Sequence, residues 1–242
     1  DVVVTYDFSD RKETVDRSVI KGMLGRDEND NLVVSKDAVA AYVADLAGKY
    51  DTAGTERTFS TYDNRDITVS GGNYGWVIDQ QKESNALYKD ITEKKTEVRE
   101  PVYEQKAASR KINDIGYSYI EIDLSAQRMV LYQSGSPVVD TGLVADSSTP
   151  TGIYALGEKE SSAVAGGGAG ETVNFWMPFT DKIGIYGKAG LDVTGYDFSD
   201  DADIAAFGSD DESSGTSVFS DSWPGIEGCI AVPEEQAQAI YQ

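Results

Sequence analysis

The chain has 242 residues, of which 40% are hydrophobic and 10% aromatic; this excludes a wholly disordered chain and predicts one large domain or two smaller ones. Its 42 acidic and 21 basic residues give a net charge of -21, which repels nucleic-acid phosphates and argues against a nucleic-acid partner. The absence of histidine excludes Ser-His-Asp and Cys-His catalytic sites, and the single cysteine, Cys229, excludes an intrachain disulfide.

The first hundred residues predict a small α+β unit. Apolar residues at helical spacing between Ser35 and Tyr50 indicate an amphipathic helix with Ser35 as its N-cap, and a second helix is predicted from Asp79. A shorter helical face lies at residues 18–24. Residues 57–69 alternate and are rich in threonine and tyrosine, which predicts a pair of strands.

The next segment, residues 93–113, differs in composition. It is polar and charged, contains Pro101 and has no helical stripe. Such a segment is typical of an extended connection between two domains. Within it, Val98 and Val102-Tyr103 have the character of an edge strand.

From Tyr117 onward the pattern predicts strands. Residues 119–124 alternate apolar and polar, and residues 128–132 mirror them across a short turn, which predicts a hairpin. Further short strands continue to residue 156, a spacing that is typical of a β-sandwich or barrel. Pro233 and the two acids after it predict a C-terminal helix, and we expect the chain to be a fragment because it stops within that helix.

Two loops interrupt this β-rich half. The glycine-rich stretch at residues 166–170 lacks the sequence context of a phosphate-binding loop and is interpreted as flexible. An acidic insertion at about 189–222 carries no basic residue and is either a solvated surface loop or a weak calcium site. The calcium ligands would be Asp197, Asp200, Asp201 and Asp203. No apolar run is long enough for a membrane-spanning helix.

Two stretches of the sequence resemble known families. Residues 1–98 are similar to the peptidoglycan-binding domain upstream of many L,D-transpeptidases of Gram-positive bacteria, through residues 57–59 and 66–79. Residues 117–242 resemble the L,D-transpeptidase catalytic domain, also called the YkuD domain. The motifs that carry this second resemblance follow the 119–132 hairpin in the family's order: Thr149-Pro150-Thr151-Gly152, Trp176-Met177-Pro178-Phe179, Ile183-Gly184-Ile185-Tyr186-Gly187, and Gly228-Cys229-Ile230 followed by Pro233.

The resemblance implies an architecture and an activity. It implies an α+β domain at 1–98, a linker at 99–116 and a mainly β, sandwich-like catalytic domain at 117–242. Members of the family attack a tetrapeptide stem with a cysteine, release D-alanine and pass the acyl group to an acceptor amine, which makes a 3-to-3 cross-link. The resemblance therefore implies peptidoglycan stem peptides as the partner and no cofactor. It also implies a place in the extracellular cell wall, with an anchor upstream of this fragment.

The sequence departs from the family pattern at the catalytic motifs. Tyr186 stands where the first motif has a histidine, and Glu227 stands where the second motif, Ser-His-Gly-Cys, has another. Ile226 and Ala231 likewise replace polar residues. The resemblance assigns the remaining roles as follows: Cys229 as nucleophile, Gly228 as a backbone donor to the oxyanion, and Trp176, Ile226 and Ala231 as contacts to the substrate.

Proton transfer from the thiol is the predicted weakness of this site. An ordinary thiol has a pKa near 8.5 and normally needs a nearby base or positive charge to react at pH 7. Tyr186 is a poor proton acceptor at neutral pH. Glu227 would disfavour a thiolate close to it, and it could accept the proton only if it were buried. Loss of general base catalysis lowers rates by about 10²–10⁴-fold.

The residues leave several interpretations open. Cys229 is a buried structural residue, a slow nucleophile or a competent one. Tyr186 and Trp176 either fill the core or contact a ligand. The sequence therefore predicts an L,D-transpeptidase-like protein of impaired activity. The alternatives are an inactive peptidoglycan-binding or scaffold protein and a hydrolase that uses the same cysteine.

Overall fold

The computed structural model describes residues 2–165, 170–193 and 226–242. Most of the glycine-rich loop and of the acidic insertion lies outside the described residues, as do the four calcium candidates, Asp197, Asp200, Asp201 and Asp203. The chain divides into an N-terminal unit, Asp1–Thr55 with Asn73–Gly116, and a C-terminal unit, Glu56–Gly72 with Tyr117–Gln242. The predicted fold class, a mixed α/β first half and a strand-rich second half, is confirmed.

The N-terminal unit contains three helices and seven short strands among its described residues; strands and helices are numbered along the whole chain. The strands are β1 (Val3–Asp7), β2 (Lys12–Val15), β3 (Leu24–Arg26), β4 (Leu32–Val34), β7 (Val77–Ile78), β8 (Thr96–Arg99) and β9 (Tyr103–Gln105). The helices are α1 (Arg17–Lys21), α2 (Lys36–Tyr50) and α3 (Gln80–Thr92), with a 3-10 turn at Ile112–Asp114.

Side-chain caps begin the two long helices where the sequence predicts them. The Ser35 hydroxyl accepts the Ala38 N–H at the start of α2, and the Asp79 carboxylate accepts the Lys82 N–H at the start of α3. Helix α1 ends earlier than the helical face predicted at residues 18–24, because the chain turns at Gly22 and enters β3 at Leu24. The polar segment at 93–113 includes β8, an edge strand parallel to β1.

A buried ion cluster joins α3 to the edge strand of the N-terminal unit. The Glu83 side chain is fully buried and accepts two hydrogen bonds from the Arg99 guanidinium, at 2.6 and 2.9 Å. It also accepts the Tyr6 hydroxyl and, at 2.7 Å, the Val102 N–H. Every hydrogen bond that water would give this carboxylate is therefore replaced, which is the condition for burying a charge.

Two larger sheets and a helix make up most of the described part of the C-terminal unit. One sheet has the order β10-β11-β12 and is antiparallel; the other has the order β13-β14-β15-β16, in which β15 and β16 are parallel. The strands are β10 (Tyr119–Asp123), β11 (Arg128–Gln133), β12 (Ser136–Gly142), β13 (Glu160–Val164), β14 (Thr172–Pro178), β15 (Gly184–Lys188) and β16 (Ile230–Pro233), and the helix is α4 (Glu234–Tyr241).

Apolar side chains of both sheets form the core of this unit. Met129 and Leu131 of β11 belong to the same buried cluster as Ile185 of β15 and Ile230 of β16. Helix α4 closes the cluster and begins right after Pro233, at the acids that the sequence places in its first turn. None of the described helices is long and apolar enough to cross a membrane.

A hairpin from the first third of the chain belongs to the C-terminal unit. Strands β5 (Arg57–Ser60) and β6 (Asp66–Val69) pair as the sequence predicts. The turn of the hairpin is attached to β10, since the Tyr62 N–H donates to Glu121 at 2.8 Å and Arg65 pairs with Asp123 at 2.8 Å. The sequence-based division places residues 57–69 in the first domain; these long-range contacts place them with the second unit.

Replacement of Glu83 by glutamine tests the buried ion cluster. The change Glu83→Gln removes one of the negative charges that compensate Arg99, which also pairs with Asp90 and Glu97, and leaves the shape of the side chain. Because all four partners of Glu83 are donors, the new amide NH2 faces a donor in a buried site, and we expect the free energy of unfolding to fall by about 3 kcal/mol. Urea unfolding followed by circular dichroism measures the change. The control is Lys89→Ala, which removes the exposed Lys89–Glu93 pair and should have the same urea midpoint as the wild type. Equal urea midpoints for all three proteins would contradict the prediction.

Candidate active site

The thiol lies at the entrance to strand β16. Cys229 directly precedes Ile230, the first residue of the strand, and is 4% exposed. Its sulfur is 3.7 Å from the carbonyl oxygen of Lys182, which accepts the S–H hydrogen bond. Its own N–H donates to the Ile226 carbonyl at 2.9 Å. Cys229 is thus a buried thiol with both of its donors occupied.

Gly228 allows the tight turn in front of the thiol. Its φ of +73° lies in the left-handed region, which favours glycine. A Cβ atom at this position would lie 3.0 Å from the Cδ1 atom of Ile183, so a side chain would have little room. Both observations explain why glycine precedes cysteine here, independently of any role in chemistry.

Parallel pairing of two strands brings the predicted tyrosine close to the cysteine. Tyr186 of β15 pairs with Ala231 of β16, two residues after Cys229. Tyr186, Ala231 and Cys229 share a buried cluster with Trp176 of β14. Four positions that the sequence singled out therefore meet in one place, and Trp176 and Tyr186 are part of the core there, at 6% and 2% exposure.

An aspartate that the sequence analysis did not single out also reaches this site. Val144 and Ala231 exchange two backbone hydrogen bonds, of 2.8 and 2.9 Å, in an antiparallel bridge. Asp146 follows this bridge by two residues and lies close enough for its charge to act on Cys229. The Asp146 carboxylate accepts the Gly228 N–H at 3.1 Å. We call Asp146, Tyr186, Gly228 and Cys229 the thiol site.

Burial dominates the electrostatics of the thiol. It raises the pKa of Cys229, the charge of Asp146 raises it further, and a backbone hydrogen bond from Gly184 opposes both. Burial likewise raises the pKa of Tyr186 to about 12, with the charge of a Cys229 thiolate adding to the effect and an Ile226 backbone hydrogen bond opposing it. Both groups are therefore protonated at neutral pH.

Asp146 itself remains charged. Burial raises its pKa, but hydrogen bonds from the Ser148 side chain, from the Gly228 N–H and from the Ser148 and Thr149 backbone outweigh burial, so the pKa lies below its usual range. Among the described residues it has no cationic partner within salt-bridge distance. A carboxylate with this low basicity is a weak acceptor for a proton that the thiol holds tightly.

The remaining predicted residues lie at the edge of the thiol site. Glu227 is exposed, so the burial on which its role as a proton acceptor depended is absent. The Gly228 N–H, expected to face an oxyanion, is bound to Asp146. Ile226 is half-buried and Ala231 is buried with both backbone groups paired to Val144. Within the described part of the chain, no three or more histidine, cysteine, aspartate or glutamate side chains are grouped for a metal ion.

Comparison with known proteins shows the family. The model of the L,D-transpeptidase catalytic domain matches residues 117–242, more than half of the chain, and the family described as "Putative peptidoglycan binding domain" matches residues 2–99. No curated protein matches the chain.

Two solved structures share the fold over the whole chain. A cysteine-to-serine mutant of Enterococcus faecium L,D-transpeptidase is 24% identical, with a TM-score of 0.67, and the alignment covers 100% of this chain and 91% of that one. The Ldtfm–avibactam carbamoyl enzyme is 25% identical, with a TM-score of 0.64, and the alignment covers 100% and 89%.

Thiol alkylation measures the electrostatics of this site. Because burial and Asp146 raise the pKa of Cys229, we expect iodoacetamide to alkylate the native protein at pH 8 more slowly than the urea-unfolded chain. The rate should also rise with pH around a midpoint above that of the unfolded thiol. Mass spectrometry after timed quenching gives both rates. A native midpoint at or below the unfolded one would show that the thiol is activated.

Proposed function

Because this chain belongs to the L,D-transpeptidase catalytic domain family, we propose that it acts on peptidoglycan stem peptides through a thioester at Cys229. We propose further that it does so more slowly than relatives with a histidine base. The observation that carries the proposal is the position of Cys229: it follows a left-handed glycine at the start of β16. Among the described residues, the titratable groups near its sulfur, Tyr186 and Asp146, are weak bases at neutral pH.

The covalent step has a definite proton balance. The Cys229 sulfur attacks the carbonyl carbon at the L-centre of a tetrapeptide, the bond to D-alanine breaks, and the thiol proton passes to the leaving amine. An acceptor amine then attacks the thioester and forms the new amide bond, and the proton it loses returns to the sulfur. In this chain Tyr186 takes the position of the first motif's histidine and Glu227 that of the second, so no imidazole moves the proton. This loss supports a lower rate, by about 10²–10⁴-fold.

The match to a peptidoglycan-binding domain supports the substrate. Peptidoglycan-associated domains at 2–99 and 117–242 are consistent with a protein of the cell wall. We propose an extracellular protein of a Gram-positive wall, with a binding domain followed by a catalytic domain at 117–242 to which the 57–69 hairpin is attached. In this arrangement the first domain would hold the glycan while the second reaches its stem peptides.

A second candidate function is binding without chemistry. The low exposure of Cys229 and the engagement of the Gly228 and Cys229 N–H groups within the protein favour it. In that case the fold would recognise stem peptides while the thiol stays in the core. The two candidates differ in a single observable, an acyl group on sulfur.

Mass spectrometry with avibactam and with a stem tetrapeptide distinguishes them. We expect wild-type protein to gain an adduct slowly with either reagent and to release D-alanine about 10²–10⁴-fold more slowly than the Enterococcus faecium enzyme in parallel. Cys229→Ala is the matched control and should gain none. An unmodified wild-type mass after prolonged incubation, with the Enterococcus faecium enzyme fully modified, would exclude acyl transfer and leave the binding function.

A further inference from the structure

We propose that Asp146 is a positioning residue that holds the Gly228–Cys229 turn closed and restrains the thiol, so that its removal makes Cys229 more reactive. For acyl transfer, this inference rests on the proposed function. For the reactivity of the thiol alone, it rests on the geometry of the thiol site. It assigns a role to a carboxylate that none of the motifs in the sequence includes.

The first support is the way in which the antiparallel ladder ends. After the Val144–Ala231 bridge, the next hydrogen-bonded pair of a regular ladder would join the backbones of Asp146 and Cys229. Instead the Cys229 N–H bonds to Ile226, and the Asp146 carboxylate takes the Gly228 N–H at 3.1 Å. The side chain of Asp146 thus replaces a backbone acceptor and fixes the turn that presents the sulfur.

The second support is that Asp146 is itself held firmly. Its carboxylate accepts the N–H of Ser148 at 2.7 Å and also the Ser148 hydroxyl, while its carbonyl accepts the Thr149 N–H at 3.2 Å. On the other side, the Gln127 side chain is 2% exposed and accepts the Ala145 N–H at 2.8 Å. The carboxylate therefore has little freedom to leave the Gly228 N–H.

The third support is the chemistry of the Gly228 N–H. A backbone N–H next to a nucleophile is the donor that an acyl transfer uses for the oxyanion of its tetrahedral intermediate. Here a permanent carboxylate occupies that donor. The same negative charge acts on the sulfur and disfavours a thiolate, as the raised pKa of Cys229 reflects. Asp146 consequently opposes both requirements of thioester formation while it stabilises the turn.

The other titratable groups near the thiol are either uncharged at neutral pH or exposed to solvent. Tyr186 shares the buried cluster and is protonated at neutral pH, whereas the side chains of Lys182 and Glu227, on the two adjoining turns, are exposed to solvent. Among the described residues, Asp146 is the ionised group whose charge is felt by Cys229. Its replacement therefore gives a specific change in thiol chemistry.

The test compares two substitutions of one residue. Asp146→Asn removes the charge and keeps one oxygen acceptor, which can serve either the Gly228 N–H or the Ser148 donors, because these bind different oxygens of the carboxylate. Asp146→Ala removes the charge and both acceptors. We expect Asp146→Asn to raise the iodoacetamide rate at pH 8 by about three- to tenfold and to lower the midpoint of its pH profile, since the negative charge of Asp146 disfavours the thiolate. The thiol of the Asp146→Ala variant should react at least as fast as that of Asp146→Asn, and this variant should melt several degrees below the wild type.

Asp181→Asn is the matched control, because it removes an exposed charge one residue from Lys182; its rate and midpoint should equal those of the wild type. The midpoint separates the proposal from a merely structural role, which would alter melting and leave the midpoint unchanged. A slower rate in Asp146→Asn would overturn the proposal and identify Asp146 as a proton acceptor. An unchanged midpoint would also overturn it.

Avibactam then separates this inference from the proposed function. If the alkylation changes occur and neither wild type nor Asp146→Asn gains an adduct, the restraint by Asp146 stands and acyl transfer fails. If Asp146→Asn gains the avibactam adduct faster than wild type, both stand. Should Asp146→Ala fail to fold, Asp146→Asn alone, verified by its circular dichroism spectrum, decides the outcome.

Discussion

Strand β16 depends on hydrogen bonds along both of its edges, and the thiol site depends on β16. On one edge it pairs in parallel with β15, and on the other the Val144–Ala231 bridge attaches it to the chain that follows β12. These two pairings bring Tyr186 and Asp146 to the cysteine from opposite sides. Without the double pairing, the glycine turn at Gly228 would have no fixed partner and the sulfur no fixed surroundings.

The chemistry of the site follows from this burial. Placing a thiol among apolar side chains raises its pKa, and a nearby carboxylate raises it further. Enzymes with cysteine nucleophiles usually offset these effects with an imidazolium, a helix N-terminus or a basic side chain. In a chain without histidine, the residues described around Cys229 offer hydrogen bonds but little positive charge. The fold is that of an acyltransferase, while the local field favours a neutral thiol.

Two hydrogen-bonded carboxylates of this protein, Glu83, which is fully buried, and Asp146, which is half-buried, show how the surroundings of a carboxylate decide its role. Glu83 is paired with the Arg99 guanidinium, so its charge is compensated locally and its role is to stabilise the N-terminal unit. Asp146 is satisfied by backbone and hydroxyl donors, which bind its oxygens without cancelling its charge. The field of Asp146 therefore extends to the neighbouring sulfur. Of the two carboxylates, Asp146 is therefore the one that can influence the reactivity of a neighbouring group.

The sequence by itself determined the local elements and the family. Helix caps at Ser35 and Asp79, the alternating hairpin at 119–132 and the Gly228-Cys229 motif each depend on neighbours within a few residues, and all could be predicted. Only the tertiary structure decided that Asp146 binds the Gly228 N–H, that Glu227 is exposed and that the 57–69 hairpin joins the C-terminal unit. The physical reason is that contacts between residues 59 and 82 positions apart, and the burial they create, are set by the packing of the whole unit and leave no mark in local periodicity.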